Sequence, residues 1–169
     1  NGAAVPGRVN LTPQVISTAV VAGVTYRNVT KGCGVAPLPA CQAAPKGWYA
    51  DLPTLGERTT GVPKLHSGTI FFNTFIPSSG ECASGGTGWL MAMDYLVGGL
   101  PNGAIFDTNA DLKVDKADAV VSGKQIGGAL GGSTLIKSSV PGEPGAAVSS
   151  LITGQLVSDV INLDPNSRG

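Results

Sequence analysis

Glycine and proline interrupt this chain so often that no long regular element fits between them. Twenty-five glycines and twelve prolines occupy more than one in five of its 169 positions. Both residues break helices, and both punctuate turns between short strands. Yet 42% of the residues are hydrophobic, mostly Ala, Val, Leu and Ile. Disordered chains are poor in apolar residues and rich in charge; at 13% charged residues this one is neither. Short strands joined by many turns are expected, on a chain long enough for one domain with its own core.

Hydrophobic patterning places those strands. Residues 14–30, "QVISTAVVAGVTYRNVT", are β-branched and partly alternating, and predict a strand pair or one long bent strand broken near Gly23. A Pro/Gly loop follows at 31–47, then a short aromatic strand in "GWYADLP" (47–53), stopped by Pro53. "TIFFNTFIP" (69–77) predicts a strand ended by Pro77. In "GGTGWLMAMDYLVGG" (85–99), Trp89, Met91, Met93 and Tyr95 recur with period two, which favours strand over helix. Further strands are expected in "ADAVVSGKQIGG" and "GSTLIKSSV", with "VPGEPGAA" (140–147) as a linker or surface loop. Residues 146–163 predict a strand pair about Gly154. A helix is the weaker alternative there, because Val, Ile, Thr and Ser dominate. The expected fold class is all-β, without a repeat at a blade or solenoid period.

Charge excludes some partners. The formal net charge is zero and the eleven Lys and Arg are scattered singly, whereas a grip on nucleic acid needs many phosphate contacts from one face. Nothing approaches 18 consecutive apolar residues, so no membrane span is expected. The opening "NGAAVPGRVN" lacks a charged-then-apolar leader and reads as a processed, excised or cloned boundary. Three cysteines are present. A Cys33–Cys41 disulfide would clip "CGVAPLPAC" and suit an exported protein; unpaired thiols are the alternative. Cys82 is then odd, either a free thiol or paired outside this chain. A zinc site is not expected, because three scattered cysteines and one histidine offer no ligand pair at C-x-x-C spacing.

The densest chemistry lies in "FDTNADLKVDKAD" (106–118), which holds four of the chain's eleven acidic residues. Like charges so close repel unless something positive sits among them. On a strand, Asp107, Asn109 and Asp111 would spread over about 13 Å; only a wound loop brings alternate side chains to one point. EF-hand-like calcium loops do this with oxygens at positions 1, 3 and 5 and a carbonyl at 7. The expected ligands are therefore Asp107, Asn109, Asp111, the carbonyl of Lys113 and Asp115, with Asp118 as an optional outer ligand. Leu112 stands where such loops carry glycine in left-handed geometry, at a cost of about 1–2 kcal/mol. A surface Asx-rich turn neutralised by Lys113 and Lys116 is the alternative.

No catalytic residue is expected. His66, the single histidine, has no carboxylate or cysteine partner near it in sequence. "GECASGGTG" lacks the Lys-Ser/Thr ending of a phosphate loop. Trp48, Tyr49, Trp89 and Tyr95 could line a sugar platform, with core packing the better reading. "NLT" (10–12) and "NVT" (28–30) match the glycosylation sequon, a weak signal.

Three segments occur in a familiar order: "GWYADLPTLGERTTGVPKL" (47–65), "TIFFNTFIPSSGECASGGTGWLMAMD" (69–94) and "FDTNADLKVD" (106–115). Over roughly residues 46–118 the chain resembles the C-terminal region of the PilY family of type IV pilus biogenesis factors and tip-associated adhesins. The resemblance implies that residues 1–169 are a fragment of a modified β-propeller, antiparallel sheets with long loops. It places calcium on Asp107, Asn109, Asp111, Asp115 and the Lys113 carbonyl, with Leu112 departing from the family glycine. Cys82 matches the family cysteine after "IPS". It further implies a non-enzymatic protein, exported through the periplasm to the cell surface at the pilus. Its partners would be minor pilins, the rest of its own propeller and a host or surface ligand. An exported quinoprotein-like enzyme and a calcium-dependent carbohydrate-binding module are the alternative readings.

Overall fold

Two left-handed residues, Ala22 (φ 48°) and Gly23 (φ 79°), turn the β-branched N-terminal segment back on itself. Positive φ at both central residues is the geometry that suits a two-residue hairpin. Accordingly the segment is a strand pair: β2 (Ile16–Val21) runs antiparallel to β3 (Val24–Val29), from Ile16 opposite Val29 to Val21 opposite Val24. The computed structural model describes residues 7–8, 11–30, 47–78 and 85–127, and the backbone of strands at 130–136, 146–152 and 155–161. Cys33, Cys41 and Cys82, and with them the expected disulfide, lie outside the described residues.

The other elements follow in order: β1 (Thr12–Gln14), β4 (Trp48–Ala50), β5 (Arg58–His66), β6 (Thr69–Pro77), β7 (Gly86–Asp94), β8 (Gly123–Gly127), β9 (Leu130–Ile136), β10 (Ala146–Ile152) and β11 (Gln155–Ile161). A six-stranded antiparallel sheet has the order β2-β3-β8-β7-β6-β5. β9, β10 and β11 form a three-stranded antiparallel sheet, and β1 and β4 a short parallel pair. The described residues of the 146–163 segment thus form a strand pair, β10 and β11, and not a helix. β6 and β7 match the expected strands closely.

β5 is an element that the sequence reading missed. Its Gly61 and Pro63 argue against a strand, since proline cannot donate to a ladder. The structure resolves this by placing β5 at the sheet edge and shifting its register between Thr60 and Lys64, with Gly61 left-handed (φ 72°). Proline and a bulge on an edge also discourage further strand pairing.

β7 is the spine. On one face Leu90 and Ala92 pack with Tyr26, Phe71, Ile105, Phe106 and Val121. On the other, Trp89, Met91 and Met93 pack with Ile16 and Val29, flanked by Trp48, Leu52, Ile70, Phe72 and Ile76. Burial on both faces explains why this strand reads as a continuous apolar run. Period two correctly groups Trp89, Met91 and Met93. Tyr95 lies past the strand end and is exposed.

Just beyond β7 the chain turns tightly. Asp94 Oδ1 accepts from the amides of Leu96 (2.8 Å) and Val97 (3.0 Å), and its carbonyl accepts from Gly98 N (2.8 Å). This turn holds β1 and β4: Trp48 Nε1 donates to Tyr95 O (2.9 Å) and Gln14 Nε2 to Val97 O (2.6 Å). Gly98 is left-handed (φ 69°), and a Cβ there would fall on the Trp48 indole ring. Gly98→Ala combines left-handed strain of about 1–2 kcal/mol with that overlap. It should lower the thermal midpoint and red-shift Trp48 emission; an unchanged midpoint would remove Trp48 from this role.

Candidate metal-binding loop

The acidic loop is rooted at both ends in the core. Ile105 and Phe106 are fully buried where it begins, and Val121 and Ser122 where it ends. Ser122 is clamped between two strands: its amide donates to Arg27 O of β3 (2.7 Å), and its carbonyl accepts from Ala92 N of β7 (2.7 Å). The segment between is therefore free to wind, while its ends are not free to move.

Its winding comes from side-chain oxygens that cap its own amides. Asp107 accepts from Ala110 N (2.7 Å) and Leu112 N (2.9 Å). Asn109 Oδ1 accepts from Asp111 N (3.0 Å), Asp111 Oδ1 from Lys113 N (2.9 Å) and Asp115 Oδ1 from Ala117 N (2.7 Å). Short polar side chains commonly cap the backbone two residues on in this way. Ala110 and Leu112 are both left-handed (φ 63° and 68°). The turn that calls for glycine at position 6 is therefore made despite Leu112, whose side chain is exposed.

Asp118 has a role that spacing alone did not indicate. It is buried, and both its oxygens point inward. Oδ1 accepts from Thr108 N (2.6 Å), Thr108 Oγ1 (3.1 Å) and Asn109 N (3.3 Å), and Oδ2 from Asp115 N (2.9 Å). Thr108 Oγ1 in turn accepts from Ala119 N (2.8 Å). Asp118 ties the first quarter of the loop to its last. Hydrogen bonds to a charged group contribute about 1.5–3 kcal/mol each, so this is the loop's principal internal fastening.

The donor set suits a hard cation: every candidate ligand is an oxygen, and carboxylates keep acceptor capacity beyond the amides they already cap. Asn109, Asp111 and Asp115 are exposed and Asp107 is half-buried. Convergence is a separate matter. Among the described residues no three His, Cys, Asp or Glu side chains are gathered as a metal cage. Asn109 Nδ2 instead donates to Asp111 Oδ2 (3.2 Å).

Across the sheet lies a charge pair that the sequence did not single out. Arg27 of β3 makes a two-pronged contact with Glu57, Nη1 to Oε1 at 2.5 Å and Nη2 to Oε2 at 2.8 Å. Both side chains are almost completely enclosed, at 3% and 0% exposure. Thr74 Oγ1 donates to Glu57 Oε1 (2.5 Å), and the guanidinium stacks over the Trp89 ring at 4.2 Å. Burial alone would push the Glu57 carboxyl up. The Arg27 guanidinium, with Thr74 and a backbone contact from Thr54, outweighs it and holds that carboxyl below its ordinary value. The other expected residues are dispersed. His66 ends β5 at the β5–β6 hairpin, and Trp89 is in the core rather than on a sugar platform.

Two outcomes follow from this geometry. Because Glu57 is depressed, the pair's stabilisation is complete above the ordinary glutamate range and is lost as pH falls through the lower folded value. Glu57→Gln should destabilise by about 3–5 kcal/mol at neutral pH, since it strands a buried guanidinium, and should flatten that acid limb in pH-dependent unfolding. Leu112→Gly should raise the thermal midpoint, recovering about 1 kcal/mol of left-handed strain; a fall would mean that Leu112 packs on something unseen.

Comparison with known proteins places these features. No protein-family model matches the chain. It is 38% identical over 73 residues to a type IV pilus biogenesis factor PilY1 homolog of Xylella fastidiosa (strain Temecula1 / ATCC 700964), an alignment covering 40% of this chain and 5% of that protein. Its fold matches the crystal structure of the Pseudomonas aeruginosa PilY1 C-terminal domain with a TM-score of 0.65 at 20% identity, over 94% of this chain and 32% of that one. The chain thus spans only a small part of these relatives. Over the aligned segment the chain is thus similar in sequence to a PilY1 homolog, and its antiparallel all-β architecture has the β-propeller-like fold of a PilY1 C-terminal domain.

Proposed function

We propose that this chain is a non-enzymatic, calcium-binding component of the type IV pilus machinery, serving pilus assembly or the pilus tip in adhesion, twitching motility and surface sensing. The relative's description as a pilus biogenesis factor supports the setting. The calcium reading is carried by one observation: the loop adopts left-handed geometry at Leu112, where its sequence lacks the usual glycine. Paying that strain at an exposed position makes sense if the turn is needed.

Asp107, Asn109, Asp111, the Lys113 carbonyl and Asp115 would hold the ion. Calcium would supply positive charge among crowded carboxylates and so order the loop between its two buried roots. Minor pilins, the remainder of its own propeller and a host or surface ligand are the proposed partners. The proposed location is the cell surface at the pilus, reached through the periplasm. Among the described residues no helix is long and apolar enough to cross a membrane.

Calcium should raise the thermal midpoint of the wild-type protein, magnesium much less. A ligand at a hundred times its dissociation constant contributes about 2.7 kcal/mol. The Asp107→Ala, Asp111→Ala double variant should fold yet lose that shift, and in the full-length protein should impair twitching. An undiminished calcium shift in the double variant would remove the site.

A further inference from the structure

The turn after β7 carries an asparagine–glycine step that the pilus reading leaves unused. Asn102 is exposed and is followed by Gly103. We propose that Asn102 is a site of spontaneous deamidation, and that its conversion loosens the turn on which β1 and β4 rest.

The chemistry needs only water. The Gly103 amide nitrogen gives up its proton and attacks Asn102 Cγ, forming a carbon–nitrogen bond and closing a five-membered succinimide, while the Cγ–Nδ2 bond breaks and Nδ2, taking up a proton, leaves as ammonia. Water then opens the ring at either carbonyl, giving aspartate or isoaspartate. Glycine favours the attack because it has no Cβ to crowd the approach. Solvent exposure supplies the water and lets ammonia escape.

The consequence follows from what Asn102 touches. Its Nδ2 donates to Asp94 Oδ2 at 3.2 Å. Asp94 is buried, and its other oxygen caps Leu96 and Val97. Deamidation replaces the donor by a carboxylate, so two negative groups face one another where a hydrogen bond was. Like charges at this separation repel, the more so because Asp94 is buried. Opening the turn displaces Tyr95 O and Val97 O, the acceptors for Trp48 Nε1 and Gln14 Nε2. Chemical ageing at one exposed residue would thereby release the β1–β4 pair from β7.

The test is peptide mapping of the full-length protein after incubation at mildly alkaline pH, with hydrogen exchange read on the same samples. Aspartate and isoaspartate should accumulate at Asn102 ahead of Asn73 and Asn109, and Gly103→Ala should suppress this. In Asn102→Asp, exchange at Leu96, Val97 and Gly98 should be roughly tenfold faster than in wild type, as expected for loss of a charged hydrogen bond. If that variant does not fold, the aged wild-type protein supplies the same comparison. Conversion of Asn109 with Asn102 intact would overturn the proposal, as would unchanged exchange in the converted protein. Neither result bears on calcium or the pilus.

Discussion

A buried arginine and a buried glutamate hold this structure together, and neither could be there alone. Removing two charges from water costs several kcal/mol per ion, which is offset only when geometry is good and the remaining donors and acceptors are satisfied. Here the contact is two-pronged, Thr74 adds a third donor to Glu57, and Trp89 covers the guanidinium. The pair links β3 to β6 and to the loop before β5, which β8 and β7 separate from β3 in the strand order. Arg27 also serves through its backbone, because its carbonyl receives the Ser122 amide at the exit of the acidic loop. The frame and the candidate site thus share a residue.

The same physics recurs in the loop at smaller scale. Asp118 is acceptable inside because four donors surround it. The carboxylates of Asp107, Asp111 and Asp115 cap neighbouring amides and stay nearer water. This divides the acidic residues into one that fastens the loop's two ends from inside and several that wind it from the solvent side. Asn109 separates two of them and hydrogen bonds to Asp111. A fixed entrance at Phe106 and a fixed exit at Ser122 limit how far such a loop can respond to an ion, so its effect would stay local to residues 107–117.

Local features were legible and long-range ones were not. Alternation with a central glycine left a strand pair or one bent strand at β2–β3, which left-handed Ala22 and Gly23 decide for the pair, and proline marked the end of β6 at Pro77. Period two on β7 grouped Trp89, Met91 and Met93, but it could not show that Leu90 and Ala92 are buried on the opposite face. β5 was missed because Gly61 and Pro63 speak against a strand wherever it lies, and only edge position makes them tolerable. Arg27 and Glu57 are thirty residues apart, and nothing local distinguishes either from a solvated charge. The spacing from Asp107 to Asp115 announced a wound loop, whereas Asp118 looked like one more member of the series until its burial was seen.

The central functional claim is that oxygens between Asp107 and Asp115 take up a divalent ion. Crystals grown in calcium, with anomalous scattering collected from them, test it most directly. The account predicts a strong peak enclosed by Asp107, Asn109, Asp111, the Lys113 carbonyl and Asp115, with Asp118 still facing Thr108. The same Asx turns around an empty anomalous map, in crystals saturated with calcium, would contradict it.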